Sequence, residues 1–92
     1  MNLITRIITS VTCPKCKHYI KTLKAQGYSF EEYSADDKEN QEELDKWQIS
    51  SMPVVQIVEH QEDSDVLRFQ FLPGMISSRA IETKKKRMKR GD

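Results

Sequence analysis

Two cysteines stand close together, as Cys13-Pro14-Lys15-Cys16, directly after a short run rich in β-branched residues. A two-residue spacer brings two sulfurs within bridging reach when the first cysteine opens a helix. The motif therefore predicts a strand, a short loop and a helix in that order. The flanking residues meet this demand. Leu3 to Thr9 reads as a buried strand and Ser10 to Thr12 as a loop. A helix is predicted over Pro14 to Gln26, because Pro14 suits a first helical position that needs no N–H donor. At ~100° per residue, Cys16, Tyr19, Ile20 and Leu23 share one arc, with Lys17, Lys21 and Lys24 beside it on the wet side. Gly27 supplies the stop.

The remaining chain continues the alternation. Tyr28 to Tyr33 reads as a second strand. Asp36 and Asp37 open an acidic helix, where carboxylates suit the positive end of the dipole, and Leu44 and Trp47 form its buried stripe. Val54 to Glu59 is a third strand, introduced by Met52-Pro53, and His60 to Asp65 is a turn. Val66 to Leu72 is a fourth strand, in which Leu67, Phe69 and Phe71 alternate with Arg68 and Gln70. The last two strands are close in sequence and should pair as an antiparallel hairpin. A final helix follows Pro73-Gly74 from about Ser77, capped by Ser77 or Ser78 and fraying into Gly91. The order is β-α-β-α-β-β-α. Its first βαβ unit demands a parallel strand pair, so the expected fold is α/β, a four-stranded mixed sheet flanked by helices.

Size and charge bound what such a chain does. Its 92 residues suffice for one compact domain. A chain of this size buries only about 60–65% of its unfolded surface, so its core is small. The net charge of +1 gives no global field for nucleic acid. Charges are nonetheless segregated: Asp36 to Asp45 is acidic and Lys84 to Arg90 basic. No aromatic residues interleave with the basic run as a stacking platform requires, so it reads as a solvated helix end and no nucleic-acid partner is expected. No segment approaches the ~20 apolar residues of a membrane span, and the N-terminal residues do not have the pattern of a secretory signal. A cytoplasmic monomer is expected. In that compartment a pair of cysteines points to redox or metal chemistry rather than to a structural cross-link.

Each cysteine then takes a role from its place on the helix. Unpaired backbone N–H groups and the positive dipole end at a helix N-terminus favour negative charge on a side chain placed there, and Lys15 adds a cation beside it. Cys13, at the loop–helix junction, is the expected nucleophile toward a disulfide. Cys16, toward the buried side, is the expected resolving thiol, and Pro14 stiffens the spacer. Two other readings remain open. The pair can be structural, although Cys13 lies in a polar loop. It can also be half of a zinc site completed by His18 and His60. His18 falls roughly 160° around the helix from Cys16, which makes a shared ion hard to reach, and it reads as a solvated histidine. Met52-Pro53 is the second informative feature. A proline cannot sit inside a ladder. A cis peptide there turns the chain and exposes the Met52 backbone to an extended substrate.

With Cys13-Pro14-Lys15-Cys16 near the N-terminus and Met52-Pro53-Val54 before the third strand, the chain resembles the glutaredoxin and NrdH-redoxin branch of the thioredoxin superfamily, from Leu3 to the last helix. The resemblance implies a thioredoxin-like fold and thiol–disulfide exchange. It also implies a cis Pro53 packed against the dithiol, with Thr12, Met52, Pro53 and Gly74 contacting substrate. It implies no tightly bound cofactor, with glutathione as co-substrate. The partners implied are a disulfide-bearing protein, for example ribonucleotide reductase, and glutathione or thioredoxin reductase as reductant. A zinc or bridging iron–sulfur module, as in some glutaredoxin-like proteins, is the alternative. The third class is a non-catalytic interaction domain. Two glutathione contacts common in glutaredoxins are missing. A lysine three residues before the first cysteine is Ser10 here. A Gly-Gly pair followed by an aspartate is replaced by Pro73-Gly74-Met75-Ile76-Ser77-Ser78.

Overall fold

A computed structural model describes residues 2–90; the fraying end predicted at Gly91 lies outside the described residues. Four strands form one mixed sheet: β1 (Leu3–Thr9), β2 (Glu31–Ser34), β3 (Val54–His60) and β4 (Asp65–Gln70), in the order β2-β1-β3-β4. Strand β2 runs parallel to β1, whereas β1–β3 and β3–β4 are antiparallel. Helices α1 (Pro14–Ala25), α2 (Gln41–Lys46) and α3 (Ser78–Lys89) cover the sheet. No helix among the described residues is long and apolar enough to cross a membrane.

The central strands explain the layering. Alternate residues of β1 and β3 point to opposite faces. Ile7 and Val55 pack with Tyr19 and Leu23 of α1 and Ile81 of α3. Ile8 and Val54 pack with Leu44 of α2 and with half-buried Trp47. Val54 to Val58 are therefore buried without interruption, as expected of a strand covered on both faces.

Three local expectations are corrected. The second strand begins at Glu31, not Tyr28. Tyr28 is used up in ending α1. Its N–H donates to the Leu23 carbonyl at 3.0 Å, and the Gly27 N–H to that of Lys24 at 3.0 Å. These two bonds form a Schellman motif, whose left-handed residue is Gly27 at φ 71°. The Tyr28 hydroxyl then meets Thr5 Oγ1 at 2.8 Å and donates to Glu82 Oε2 at 2.5 Å, tying the loop to β1 and α3. The acidic helix begins at Gln41, after a 3₁₀ turn over Lys38–Asn40, rather than at Asp36. Asp36 instead turns back toward the loop before Cys13. In β4, the predicted alternation fails at Arg68. Val58 pairs with Leu67 while Ile57 pairs with Phe69, so Arg68 is the extra residue of a bulge. Leu67 and Phe69 consequently face opposite sides of the sheet. Of the two serines at α3, Ser77 is the cap, its Oγ accepting from the Ala80 N–H at 3.1 Å.

Helix α2 ends in the same motif as α1, but its left-handed position is Gln48, at φ 58°. Ile49 N–H donates to the Leu44 carbonyl at 3.1 Å, and Gln48 N–H to that of Asp45 at 3.1 Å. A side chain in this conformation costs roughly 1–2 kcal/mol, and glycine returns part of that gain through its looser unfolded chain. Gln48→Gly is therefore expected to stabilise the fold by about 0.5 kcal/mol. Gly27→Ala, whose added Cβ meets nothing within 4 Å, is expected to cost about 1 kcal/mol for conformational reasons alone. Urea denaturation of both variants checks the pair of opposite signs.

Candidate active site

The parallel β1–β2 pair sends the chain out of the sheet at Thr9, and Ser10–Cys13 closes a turn through the Cys13 N–H and the Ser10 carbonyl at 3.1 Å. Cys13 is the N-cap of α1, with extended backbone, and Pro14 takes the first helical position. The Sγ of Cys13 accepts the N–H of Cys16 at 3.2 Å. A helix-terminal donor thus points at the sulfur, where negative charge is best received. Cys13 is partly exposed, whereas Cys16, one turn on, is only 1% exposed. The pair carries one accessible and one sheltered sulfur, both free thiols.

Burial pushes the Cys16 thiol up to about 11, reinforced by its hydrogen bond with Cys13. Cys16 is thus held as the neutral thiol at neutral pH. Only a partner that takes its proton, or a change in its surroundings, makes it a nucleophile.

The opposite wall comes from the entrance to β3. The Met52–Pro53 peptide bond is cis. The Met52 carbonyl lies 3.8 Å from Cys13 Sγ, and the Pro53 carbonyl accepts the Gly74 N–H at 2.9 Å. Gly74, at φ 146°, adopts a backbone conformation that favours glycine. The segment after it is held by α1, because the Tyr19 hydroxyl donates to the Ile76 carbonyl. Lys15, Met52, Pro53, Gly74 and Met75 line a cleft of about 390 Å³. Of the sequence-predicted residues, Cys13, Cys16, Met52, Pro53 and Gly74 are brought together, with Lys15 at the cleft wall and Pro14 exposed beside it. Thr12 is exposed and turns to Ser10, their hydroxyl oxygens 3.0 Å apart. His18 is exposed on α1, and His60, at the end of β3, bonds Asp65 at 2.8 Å. Among the described residues no group of three or more His, Cys, Asp or Glu side chains is arranged to hold a metal ion.

Asp36 is a site residue that sequence reasoning missed. Its carboxylate accepts the Ser10 hydroxyl at 3.0 Å and the Val11 N–H at 2.8 Å. It thereby braces the loop that presents Cys13. Nothing local announced this, since Asp36 lies 25 residues from Val11 and suited a helix start equally well. The same contacts occupy Ser10, the position where glutaredoxins commonly carry a lysine.

Two measurements check this geometry. Asp36→Ala is expected to speed hydrogen exchange at the Val11 amide several-fold and to cost about 1 kcal/mol of stability. Asp36→Asn, which keeps an acceptor, should lose less. Iodoacetamide at pH 8 should label Cys13 and spare Cys16. Because the folded Cys16 retains its proton above the ordinary thiol value of 9.0, its contribution to stability is complete below pH 9 and is lost as pH rises toward 11. Denaturation of the reduced protein should follow this sign between pH 9 and 10, below the range in which Tyr19, Tyr28 and Tyr33 add a loss of the same sign, and Cys16→Ser should flatten it there.

The geometry agrees with what the chain is similar to. The Glutaredoxin family model matches residues 5–61, more than half of the chain and a span that includes both cysteines and Pro53. No curated protein sequence matches. Among solved structures, a thioredoxin from Thermus thermophilus aligns at 15% identity and TM-score 0.64, over 96% of this chain and 72% of that one. Thioredoxin f from spinach chloroplast aligns at 16% identity and TM-score 0.62, over 92% and 75%. Trichomonas vaginalis thioredoxin aligns at 17% identity and TM-score 0.58, over 98% and 79%. Identities this low speak for the fold, and the family match speaks for the chemistry of the cysteine pair. The chain belongs to the glutaredoxin family and is a thiol–disulfide oxidoreductase of thioredoxin-like fold.

Proposed function

We propose that the protein reduces disulfides of other proteins through a Cys13/Cys16 dithiol, with Cys13 as nucleophile and Cys16 as resolving thiol. The observation that carries this reading is the asymmetry of the pair. One sulfur is accessible and receives a helix-terminal N–H at 3.2 Å, and the other is buried, which pushes its thiol up to about 11. The Cys13 thiolate attacks one sulfur of the substrate disulfide. That S–S bond breaks, a mixed disulfide with Cys13 forms, and the departing substrate thiolate takes up a proton. Cys16 then loses its proton and attacks Cys13 Sγ. The Cys13–Cys16 disulfide forms, the second substrate thiol leaves, and two electrons have passed to the substrate. Two equivalents of glutathione, or a dithiol reductase such as thioredoxin reductase, return them.

Lys15, Pro14 and the Met52–Gly74 cleft are assigned to positioning substrate beside Cys13, and Thr12 to the loop's rim. Ribonucleotide reductase is a suitable acceptor class on the resemblance to NrdH-type redoxins. Two features favour a protein substrate over a glutathione adduct. Ser10 is engaged with Asp36 where a lysine would meet a glutathione carboxylate, and no acid follows Gly74 to meet its ammonium group. Glutathione is the weaker reductant on the same grounds.

An insulin-reduction assay tests the roles. Cys13→Ser should abolish turnover, to below about 1% of the parent activity, as loss of an attacking group does. Cys16→Ser should instead accumulate a covalent mixed disulfide visible by non-reducing electrophoresis. Normal turnover by Cys13→Ser sinks the assignment. Coupling the assay to glutathione plus glutathione reductase, or to thioredoxin reductase alone, ranks the reductants. Recycling by glutathione at full rate would contradict the preference.

A further inference from the structure

A second cavity lies apart from the cleft beside Cys13. It is a groove of about 700 Å³ between α1 and the edge strand β2, within the size range that holds ligands and peptide segments. Its floor is apolar and begins at the redox loop. Val11, two residues before Cys13, is 71% exposed there, and half-buried Ile20 continues the surface. Lys17, Lys21 and Lys24 line it along α1. Glu32 is the single carboxylate among the lining residues, and none of the three lysines makes a salt bridge among the described residues.

Helix stability does not account for all of these charges. Lys24 suits the last turn of α1, where a cation meets the negative end of the dipole. Lys17, near the opposite end, together with Lys15, works against it, and the first turn carries no acid to compensate. Positive charge is therefore concentrated around the cysteine pair and along one wall of a groove that leads away from it. From this we infer that the groove docks an acidic, partly apolar segment of the protein disulfide substrate, next to the cysteine that Cys13 attacks. The inference rests on the proposed reduction of protein disulfides and adds the class of substrate. Apolar side chains of the segment cover Val11 and Ile20, and its carboxylates meet the three lysines. Because the lysines are exposed, the gain is chiefly in encounter rate and partner selection.

The experiment compares three disulfide peptides that differ only in a flanking segment carrying Glu, Gln or Lys, with the small uncharged hydroxyethyl disulfide as a reference that cannot span the groove. In about 0.01 M salt, kcat/KM for the Glu peptide should exceed that for the Gln peptide by roughly 10-fold, and the Lys peptide should be poorest. The gap should close in about 1 M salt, where the screening length falls from about 30 Å to about 3 Å. In Lys17→Gln/Lys21→Gln/Lys24→Gln, the Glu-to-Gln ratio should fall toward one. A control with equal charge loss on α3, Lys86→Gln/Arg87→Gln/Lys89→Gln, should keep it. A ratio near one in the parent protein, with all disulfides still reduced, overturns the docking assignment and leaves the functional proposal standing. Failure to reduce any disulfide removes both. Equal loss of the ratio in the α3 control assigns the effect to net charge and overturns the groove. Binding of phosphatidylserine vesicles or of an oligonucleotide that is lost in the α1 variant, with peptide preference unchanged, also overturns it.

Discussion

The register between β1 and β3 is the constraint on which the site depends. Antiparallel pairing of Ile8 with Val54 sets the C-terminal end of one strand against the N-terminal end of the other. The loop leaving β1 carries Cys13, and the segment entering β3 carries Met52 and Pro53. One ladder thus puts the Met52 carbonyl 3.8 Å from Cys13 Sγ, though the residues are 39 apart in the chain. A slip of one residue would turn Ile7, Ile8, Val54 and Val55 to the wrong faces. Burial on both sides forbids the slip, because Ile7 and Val55 belong to the α1/α3 layer and Ile8 and Val54 to the α2 layer. The hydrophobic core therefore acts directly on the chemistry, holding two irregular segments to each other through two regular strands.

The inequality of the two sulfurs follows from the same packing. Helix α1 lies on the sheet through Cys16, Tyr19 and Leu23, which are its buried residues. Cys16 belongs to that face, so it is desolvated and its thiol is pushed up to about 11. Cys13, as N-cap, precedes the first turn and stays partly exposed. A separation of three residues on a packed helix is enough to make two identical side chains chemically unequal. Around them, Asp36, the Pro53–Gly74 hydrogen bond and the Tyr19–Ile76 contact fix loops that belong to no regular element. These ties come from three separate parts of the chain and converge on a single rim.

Charge is arranged with comparable economy. The net value of +1 conceals a cationic α1 and α3 on one side of the sheet and an acidic segment before and within α2 on the other. Such a distribution leaves the fold itself largely indifferent and acts on what approaches it. Aromatic residues absorb part of it internally: Arg6 lies 5.3 Å from the Tyr33 ring centroid while pairing with Asp65, and Lys84 lies 4.3 Å from that of Phe69.

The sequence alone determined the element order, the cysteine pair at a helix start and the sheet class. Each rests on local periodicity, or on a residue with one strong backbone preference, such as Pro14, Gly27 and Ser77. The thioredoxin-like fold and the relation to glutaredoxins were legible in Cys13-Pro14-Lys15-Cys16 and Met52-Pro53-Val54. The start of β2, the bulge at Arg68, the left-handed Gln48 and the late start of α2 were not. In the first and last of these a distant partner overrode a local preference: Tyr28 was drawn to Thr5 and Glu82, and Asp36 to the loop before Cys13. The spacing of the cysteines could announce that two sulfurs would meet. Which sulfur lies toward the buried side was legible too, from the arc that Cys16 shares with Tyr19 and Leu23. Only the packed sheet decided how completely Cys16 is buried, which carboxylate braces the loop, and where the lysines of α1 line a groove, because burial and charge proximity are properties of chain segments brought together rather than of neighbours in sequence.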